Sequence, residues 1–412
     1  MKILCVFGEH NYGDPARGRG YEYANFIPAF QRLGHETIFF ESWNKHRYTG
    51  FADLNKQFLT TVEQTQPELI VCVLLGYEVW IETLSMVREI SDAAIVNWAT
   101  DDSWKYDQFS RFILPSFDLY ATTYPRAKIK ANREGHHHVH LTQWAANAEN
   151  LHQPIPSAEC RWDVSFVGTA YGNRTKWIAA LKDRGIQVEC FGHGWKNGPV
   201  AAKAIPEIIR HSRISLNFGD SNWMLRGIIP YKSRQIKARV FEVPGSGGFL
   251  MTEYAENMGD YFQPQKEIIV FESIDELTTK IRYYLTNPKQ RDFIANAGHL
   301  RTRDSHTYDR RFEVLFSAVD DLQASRLKQT GRPAEKQNFD NVKFDRLEKL
   351  HQPDANLNLI RHALVTPCNL VWGQSRGPRA ARRILFELSW RLCGKKTYSA
   401  SGWPGRLFYH DS

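Results

Sequence analysis

The chain has 412 residues, of which 42% are hydrophobic and 24% charged. This composition is typical of globular proteins and excludes a largely disordered chain. One hydrophobic core rarely extends over this length, so at least two domains are expected.

The cysteines and the apolar runs predict a cytoplasmic protein. The first apolar run, residues 2–8, is too short for a signal peptide, and no run approaches the ~20 residues of a membrane span. The six cysteines show no spacing typical of a metal site or a disulfide framework. Four of them lie in or beside apolar runs, as reduced core residues do: Cys5, Cys72, Cys190 and Cys393.

The first half of the chain predicts a doubly wound parallel sheet. Short apolar runs typical of buried strands alternate with segments of helix length. The six runs are residues 2–8, 36–42, 67–75, 93–102, 117–123 and 137–143. Pro154 and Pro156 mark a linker after them. We therefore assign residues 1–150 to a Rossmann-like domain.

The same alternation begins again at Trp162 and predicts a second Rossmann-like domain over residues 151–325. Two such halves in series predict an α/β protein whose domains face each other across a cleft. Residues 326–354 are polar and poor in apolar side chains, which indicates a linker. The rest of residues 326–412 is interpreted as a basic, helical C-terminal extension.

The net charge of +8 lies largely in that extension. A run of basic residues faces a single acid, Glu387: Arg376, Arg379, Arg382, Arg383, Arg391, Lys395 and Lys396. Three interpretations remain open: a helix packed on the first domain, a helix at a membrane surface, and a nucleic-acid patch. Leucines beside the arginines favour the first two, which would allow a peripheral position at the inner membrane surface. Since no nucleic-acid-binding module accompanies the charge, we expect no nucleic-acid partner.

Two motifs of the second half could bind a phosphorylated ligand. In the first, FVGTAYGNR, a strand ends at Gly168 and leads into a helix with Arg174 in its first turn. The positive end of a helix and a nearby arginine together attract anions.

The second motif, QIKARVFEVPGSGGFLMTEY, brings together two cations, a carboxylate and glycines. Lys237 and Arg239 could meet a diphosphate, and Glu242 could meet a ribose diol. Gly247 and Gly248 would allow close approach of the backbone to a ligand.

Residues 163–316 resemble the CgeB-like (spore-maturation-protein-like) glycosyltransferases, which are related to the retaining group 1 transferases of the GT-B fold. The matching stretches include SFVGTAYGNRTKWIAAL, VECFGHGW, SRISLNFGD, KARVFEVPGSGGFLMTEY and SHTYDRRFEVL. The resemblance implies a metal-independent transferase with a nucleotide-sugar as co-substrate and no other cofactor. The acceptor would be a glycan, a lipid-linked molecule or a protein.

The resemblance also implies roles for residues of the donor site. Glu242 falls where the family contacts the nucleotide ribose, and Lys237 and Arg239 fall near the donor diphosphate. Gly168 and Arg174 would line the opposite side of the donor site, and Gly247 and Gly248 would lie close to the donor. Group 1 transferases usually carry two glutamates eight residues apart. This chain lacks a clear first glutamate, so Asp220 or Asn222 is predicted to make that sugar contact.

The acceptor side is predicted from the carboxyl ends of strands in the first half, where ligand sites of α/β proteins form. We expect His10 and Asp102 to act in proton transfer. Asp14, Arg17 and Asp101 are expected to bind the acceptor. An alternative for Asp101 or Asp102 is capping of the next helix.

A histidine-rich run, residues 136–140, is interpreted as a polar strand wall and not a metal site, because one strand face supplies no complete tetrahedral ligand set. Taken together, the sequence predicts a glycosyltransferase. The alternatives are a non-catalytic scaffold of the same fold and a sugar-nucleotide epimerase.

Overall fold

The computed structural model describes residues 1–219, 224–226, 229–231, 234–330, 338–352 and 355–409. The chain divides into two compact units. The first comprises Met1–Leu141 and Leu315–Ser412, and the second comprises Thr142–Val314. The chain thus passes between the units after residues 141 and 314, where the sequence had indicated boundaries at 150 and 325.

The first unit contains a six-stranded parallel sheet and most of the helices. Its strands are β1 (Lys2–Phe7), β2 (Glu36–Glu41), β3 (Leu69–Cys72), β4 (Ala94–Ala99), β5 (Leu119–Thr122) and β6 (Val139–Leu141). The helices between them are α1 (Tyr21–Arg32), α2 (Phe51–Thr65), α3 (Ile81–Ile90), α4 (Asp102–Lys105), α5 (Arg111–Ile113) and α6 (Pro125–Arg133). All six predicted strands are present.

The strand order is β2-β1-β3-β4-β5-β6. The chain reverses its direction of winding between β1 and β3, which is the point where open α/β sheets form ligand crevices. Strands β1, β3 and β4 are buried almost throughout. Their continuous apolar sequences follow from helices covering both faces of the sheet.

The second unit contains a parallel sheet of the order β13-β12-β9-β7-β8 and a separate antiparallel pair, β10-β11. Its strands are β7 (Trp162–Val167), β8 (Glu189–Phe191), β9 (Ser212–Asn217), β10 (Met224–Arg226), β11 (Ile229–Tyr231), β12 (Leu250–Glu253) and β13 (Ile269–Phe271). Its helices are α7 (Arg174–Asp183), α8 (Ile205–Arg210), α9 (Arg239–Gly245), α10 (Ile274–Thr286), α11 (Pro288–Ser305) and the start of α12 (Tyr308–Thr330). The parallel sheet agrees with the Rossmann-like domain that the sequence predicts from Trp162 onward, and the β10-β11 pair was not predicted.

The C-terminal segment packs on the first unit. It forms α13 (Asn341–His351), α14 (Ala355–Trp372), α15 (Gly377–Cys393) and α16 (Trp403–Leu407). The Tyr77 hydroxyl, in the loop after β3, donates to the carbonyl of Ser399 at 2.6 Å. Tyr398 and Ala400 belong to the apolar core of this unit. The structure thus confirms packing on the first domain, one of the three interpretations that the sequence left open.

Part of the predicted linker is a helix. Phe344, on α13, is fully buried and stacks on Trp80 at a ring distance of 6.3 Å. Leu347, one turn further, packs against the same core. The prediction for residues 341–351 is therefore corrected: two well-spaced apolar side chains anchor an otherwise polar helix, although mean composition indicates a linker.

Candidate functional site

The candidate donor surface lies at the carboxyl edge of the second sheet. The chain proceeds from β7 to β8 on one side and then crosses to β9 on the other side of β7. The turns after β7 and β9 therefore flank the point where the winding reverses, where α/β sheets bind ligands.

The turn after β7 is held by its neighbour after β8. Gly168 donates its N–H to the carbonyl of Phe191 at 2.8 Å and accepts from the Trp195 indole at 2.7 Å. A Cβ at Gly168 would lie 2.9 Å from the Phe166 ring and 3.3 Å from the Arg174 guanidinium. Gly168 thus makes room for the arginine, and its own N–H is already bonded within the protein.

Arg174 is the first residue of α7 and is held in place on three sides. Its Nη1 donates to the carbonyl of Thr169 at 2.9 Å, and its guanidinium lies 4.1 Å from the centre of the Tyr171 ring. The Arg174 guanidinium also lies 5.4 Å from the centre of the Phe166 ring. Burial lowers the pKa of Arg174, and the positive charge of Arg239 lowers that pKa further.

Arg239 and Glu242 lie on consecutive turns of α9. The Nη1 of Arg239 is 2.8 Å from Oε2 of Glu242, and both side chains are about one-fifth exposed. Lys237, two residues before the helix, is partly buried. Arg239 thus lies within electrostatic range of Arg174, and Glu242 is its counter-charge. A diphosphate would relieve the repulsion between the two arginines.

Glu253 is a functional candidate that sequence reasoning missed. It is the last residue of β12, is 1% exposed, and accepts from the Gly219 N–H at 3.1 Å. Its Oε1 pairs with Nε of Arg234 at 3.1 Å. Glu253 therefore connects the residues on either side of 220–233. A carboxylate at a strand's carboxyl end was the available signal. Asp220 and Asn222, the predicted sugar contacts, lie outside the described residues.

Gly247 and Gly248 lie at the opposite edge of this sheet, which corrects their predicted place beside the donor. They follow α9 and precede β12, so they are at the amino ends of the strands. A Cβ at Gly247 would lie 2.6 Å from the carbonyl oxygen of His152, and one at Gly248 would lie 2.5 Å from Ile209. Close packing inside the unit explains both glycines.

The Gly247→Ala variant is therefore expected to lose stability and keep its nucleotide affinity. Gly247 has φ +79°, and the added Cβ would overlap with backbone. We expect a loss of about 1–3 kcal/mol in the free energy of unfolding, measured by urea denaturation. Gly259→Ala, with no atom within 4 Å of its Cβ position, is the control. A stable variant with weakened nucleotide binding would restore the original prediction.

The first glycine-rich loop, residues 8–20, is closed on itself. Gly20 donates to the carbonyl of Glu9 at 2.7 Å, and His10 bridges to Arg19. Asp14 accepts from the Ala16 N–H and pairs with Arg17 at 3.2 Å, with both side chains about half exposed. Asp14 and Arg17 thus neutralise each other at the surface, so their charges are not directed to one ligand.

Asp102 is buried away from solvent. It is 2% exposed, and its two carboxylate oxygens accept from Ser110 and Thr122. Burial raises its pKa. This geometry fixes α4 to β5 and favours an anchoring role over proton exchange with an acceptor. Asp101, at the N-cap position of α4, makes no capping hydrogen bond through its side chain.

Glu22 was not selected from the sequence, yet it lies at the point where the first sheet reverses. It occupies the first turn of α1, directly after the glycine-rich loop, and is only 6% exposed. Its pKa is raised to about 7, mainly by burial and to a smaller extent by the charge of Asp101, while a hydrogen bond from its own backbone N–H and the charge of Lys105 limit the rise. Lys105 is itself held by the carbonyl of Leu75, after β3, at 3.0 Å. An acid in the first turn after a strand and a glycine loop was the missed signal.

The histidine-rich run, residues 136–140, leads into β6 and forms its first part. His138 Nε2 lies 2.9 Å from the carbonyl of Leu114, and the rings of His136 and His138 are 5.9 Å apart. Within the described part of the chain, no three His, Cys, Asp or Glu residues cluster as metal ligands would. Among the helices that can be described, none is long and apolar enough to cross a membrane.

These two units define an α/β protein of the GT-B fold, the fold of many glycosyltransferases, with a helical C-terminal part. Residues 174–317 match a family described as glycosyl transferase-like, which spans most of the second unit. A sequence comparison with curated proteins finds no match.

Solved structures support the fold over most of the chain. Sucrose-phosphate synthase from Thermosynechococcus elongatus aligns over 79% of this chain and 100% of its own, with 10% identity and a TM-score of 0.57. HepE from Anabaena, in complex with UDP, aligns over 78% of this chain and 100% of its own, with 11% identity and a TM-score of 0.53. The same protein is known in complex with UDP-glucose.

Proposed function

We propose that the protein is a glycosyltransferase that moves a sugar from a nucleotide-sugar donor to an acceptor hydroxyl. The observation that carries the proposal is the position of Arg174, which Thr169 and Tyr171 hold at the turn after β7 where the second sheet reverses, with Arg239 and its partner Glu242 within electrostatic range. The family match over residues 174–317 and the UDP bound in HepE support a nucleoside diphosphate as the ligand. Membership of the CgeB-like group is part of the proposal.

In this proposal the second unit binds the donor. The two arginines hold the diphosphate and offset the negative charge that develops as the nucleotide leaves. Glu242 accepts hydrogen bonds from the ribose hydroxyls. Because cationic side chains supply this stabilisation, we propose a metal-independent reaction. The resemblance to the group 1 transferases extends the proposal to retention of the anomeric configuration.

The first unit binds the acceptor, a glycan, a lipid-linked molecule or a protein. Glu22 is the carboxyl group best suited to exchange a proton with the acceptor hydroxyl. Its pKa of about 7 lets it both hold and release a proton near neutral pH. His10 and Asp101, which lie at the carboxyl ends of β1 and β4, complete the proposed acceptor surface.

The donor site is tested by nucleotide binding to the Glu242→Ala variant. UDP, GDP, TDP and CDP, and a sugar conjugate of each, are first screened by thermal shift. We expect one nucleotide to stabilise the protein, and the variant to bind it about tenfold more weakly because a charged hydrogen-bond acceptor is lost. Hydrolysis of one donor sugar without an acceptor would add support.

Glu313→Ala is the matched control. It also removes a glutamate paired with an arginine three residues away, Arg310, at 2.8 Å. Equal effects of the two substitutions would remove Glu242 from the site. Absence of stabilisation by every nucleotide would contradict the transferase proposal, and binding without hydrolysis or transfer would favour the scaffold alternative.

A further inference from the structure

The C-terminal hairpin, formed by α14 and α15, carries apolar side chains that the protein does not cover. At the end of α14, Leu370 is 85% exposed, and Val371 and Trp372 follow it at 69% and 49%. Their position at the turn between two helices is unusual for side chains with no role, because consecutive exposed apolar residues cost solubility.

Helix α15 continues this surface along its length. Ile384, Leu388 and Leu392 are exposed and spaced four residues apart, so they form one stripe. The side chains that pack inward are different ones, Ala381 and Leu385, which contact α14 in a separate apolar cluster. The exposed stripe is therefore not the face that holds the helix to the protein.

A basic stripe runs beside the apolar one. Arg379, Arg383 and Arg391 also recur at multiples of four residues and are exposed, and Lys395 and Lys396 follow the helix. From residue 355 to 396 the only acid in the sequence is Glu387, and it is paired with Arg391 at 2.6 Å. Exposed leucines flanked by an excess of basic side chains match the interface of an anionic membrane, where apolar side chains enter the acyl boundary and cations meet the headgroups.

We propose that the C-terminal hairpin docks the protein on the surface of a membrane containing anionic lipid. A second copy of the chain fits this face less well, because a symmetric contact would bring one basic stripe against another. Nucleic acid would use the arginines and leave the leucines in water. Docking needs neither donor nor acceptor, so it is independent of the proposed transferase activity.

The test is flotation of the full chain with lipid vesicles. We expect binding to vesicles of phosphatidylcholine mixed with phosphatidylglycerol, little binding to phosphatidylcholine alone, and release by high salt. Leu388→Ser with Leu392→Ser, and Arg379→Gln with Arg383→Gln, should each lower the partition coefficient by at least about tenfold, since each lipid-facing charge contributes roughly fivefold.

Two control variants on α11 test whether replacing any exposed apolar or basic side chain lowers vesicle binding. Phe293, 70% exposed, is replaced by serine, and Lys289, also exposed, by glutamine. Both variants should bind vesicles as the wild type does. Because every substituted side chain is exposed, melting temperatures should remain unchanged, which shows that the variants fold.

Four outcomes would overturn the proposal. The first is no binding to the anionic vesicles, and the second is equal binding of the hairpin variants and the controls. The third is a dimer, seen by light scattering, that the leucine substitutions abolish, which would assign the face to a second copy. The fourth is displacement from vesicles by an oligonucleotide at equal phosphate concentration, which would assign the face to nucleic acid.

Discussion

Replacing Arg174 with alanine is expected to lower the affinity for a nucleoside diphosphate by about ten- to hundredfold. A hydrogen bond to a charged group contributes about 1.5–3 kcal/mol, and Arg174 is held ready by Thr169 and Tyr171. Arg239→Ala is expected to act in the same direction and by less, since Glu242 already partly neutralises the charge of Arg239. Isothermal titration with the nucleotide found in the thermal-shift screen measures both.

Lys182→Ala is the control for this prediction, because Lys182 lies in the last turn of the same helix. Arg174→Lys is a second useful variant. It keeps the charge but loses the planar group that lies over the Tyr171 ring, so we expect an intermediate affinity. Unchanged affinity in both Arg174→Ala and Arg239→Ala would contradict a diphosphate site at this edge of the sheet.

The Glu22→Gln variant is expected to show the second large effect, with two separate readouts. If Glu22 exchanges a proton with the acceptor, the rate of transfer should fall by about 10²- to 10⁴-fold, as for other general acids and bases. Nucleotide affinity should stay unchanged, because Glu22 belongs to the first unit.

The pH dependence of stability provides the readout that needs no substrate. The pKa of Glu22 is about 7 in the folded protein, above its ordinary value of 4.5. Between these values the folded protein holds a proton that the unfolded chain has released. Stability is therefore lost as pH rises through this window, by about 3 kcal/mol in total.

The Glu22→Gln variant lacks this loss. It should be more stable than the wild type at pH 8.5, and the difference should vanish near pH 4. Urea denaturation across this range measures it, with the exposed carboxylate variant Glu36→Gln as control. A constant difference at every pH would show that Glu22 is not the buried, protonated group that we infer.

Most of the parallel sheets could be predicted from the sequence. Residues 3–7 and 69–75, within two of the predicted runs, are apolar at every position, as is typical of strands that are covered on both faces. Helix α13 was missed, because its packing depends on few side chains, Phe344, Leu347 and the buried His351, and the others are mostly polar. The β10-β11 pair was missed as well, since three-residue strands carry too little periodicity to be recognised.

The sequence predicted candidate residues by their type and local motif. It did not predict which of those residues are required by close packing inside the unit. Arg174 was selected from its type and its position after a strand, and Arg239 and Glu242 were selected from their types, their shared motif and the family resemblance. Gly247 and Gly248 were selected by type as well, but glycine is equally demanded by a close backbone contact, and the sequence does not distinguish the two causes. Asp102 was expected to act in proton transfer, whereas the structure favours Glu22 for this role. Burial and hydrogen-bond partners, and not residue type, decide the pKa of a carboxyl group.

The sequence by itself determined the α/β class, the two successive Rossmann-like halves and the basic character of the C-terminal segment. These properties are encoded in the local order of apolar, glycine and charged residues. Only the tertiary structure decided which arginines approach each other, at which sheet edge each glycine lies, and which leucines of α15 remain uncovered. Each of these depends on contacts between residues far apart in the chain, which local patterns do not specify.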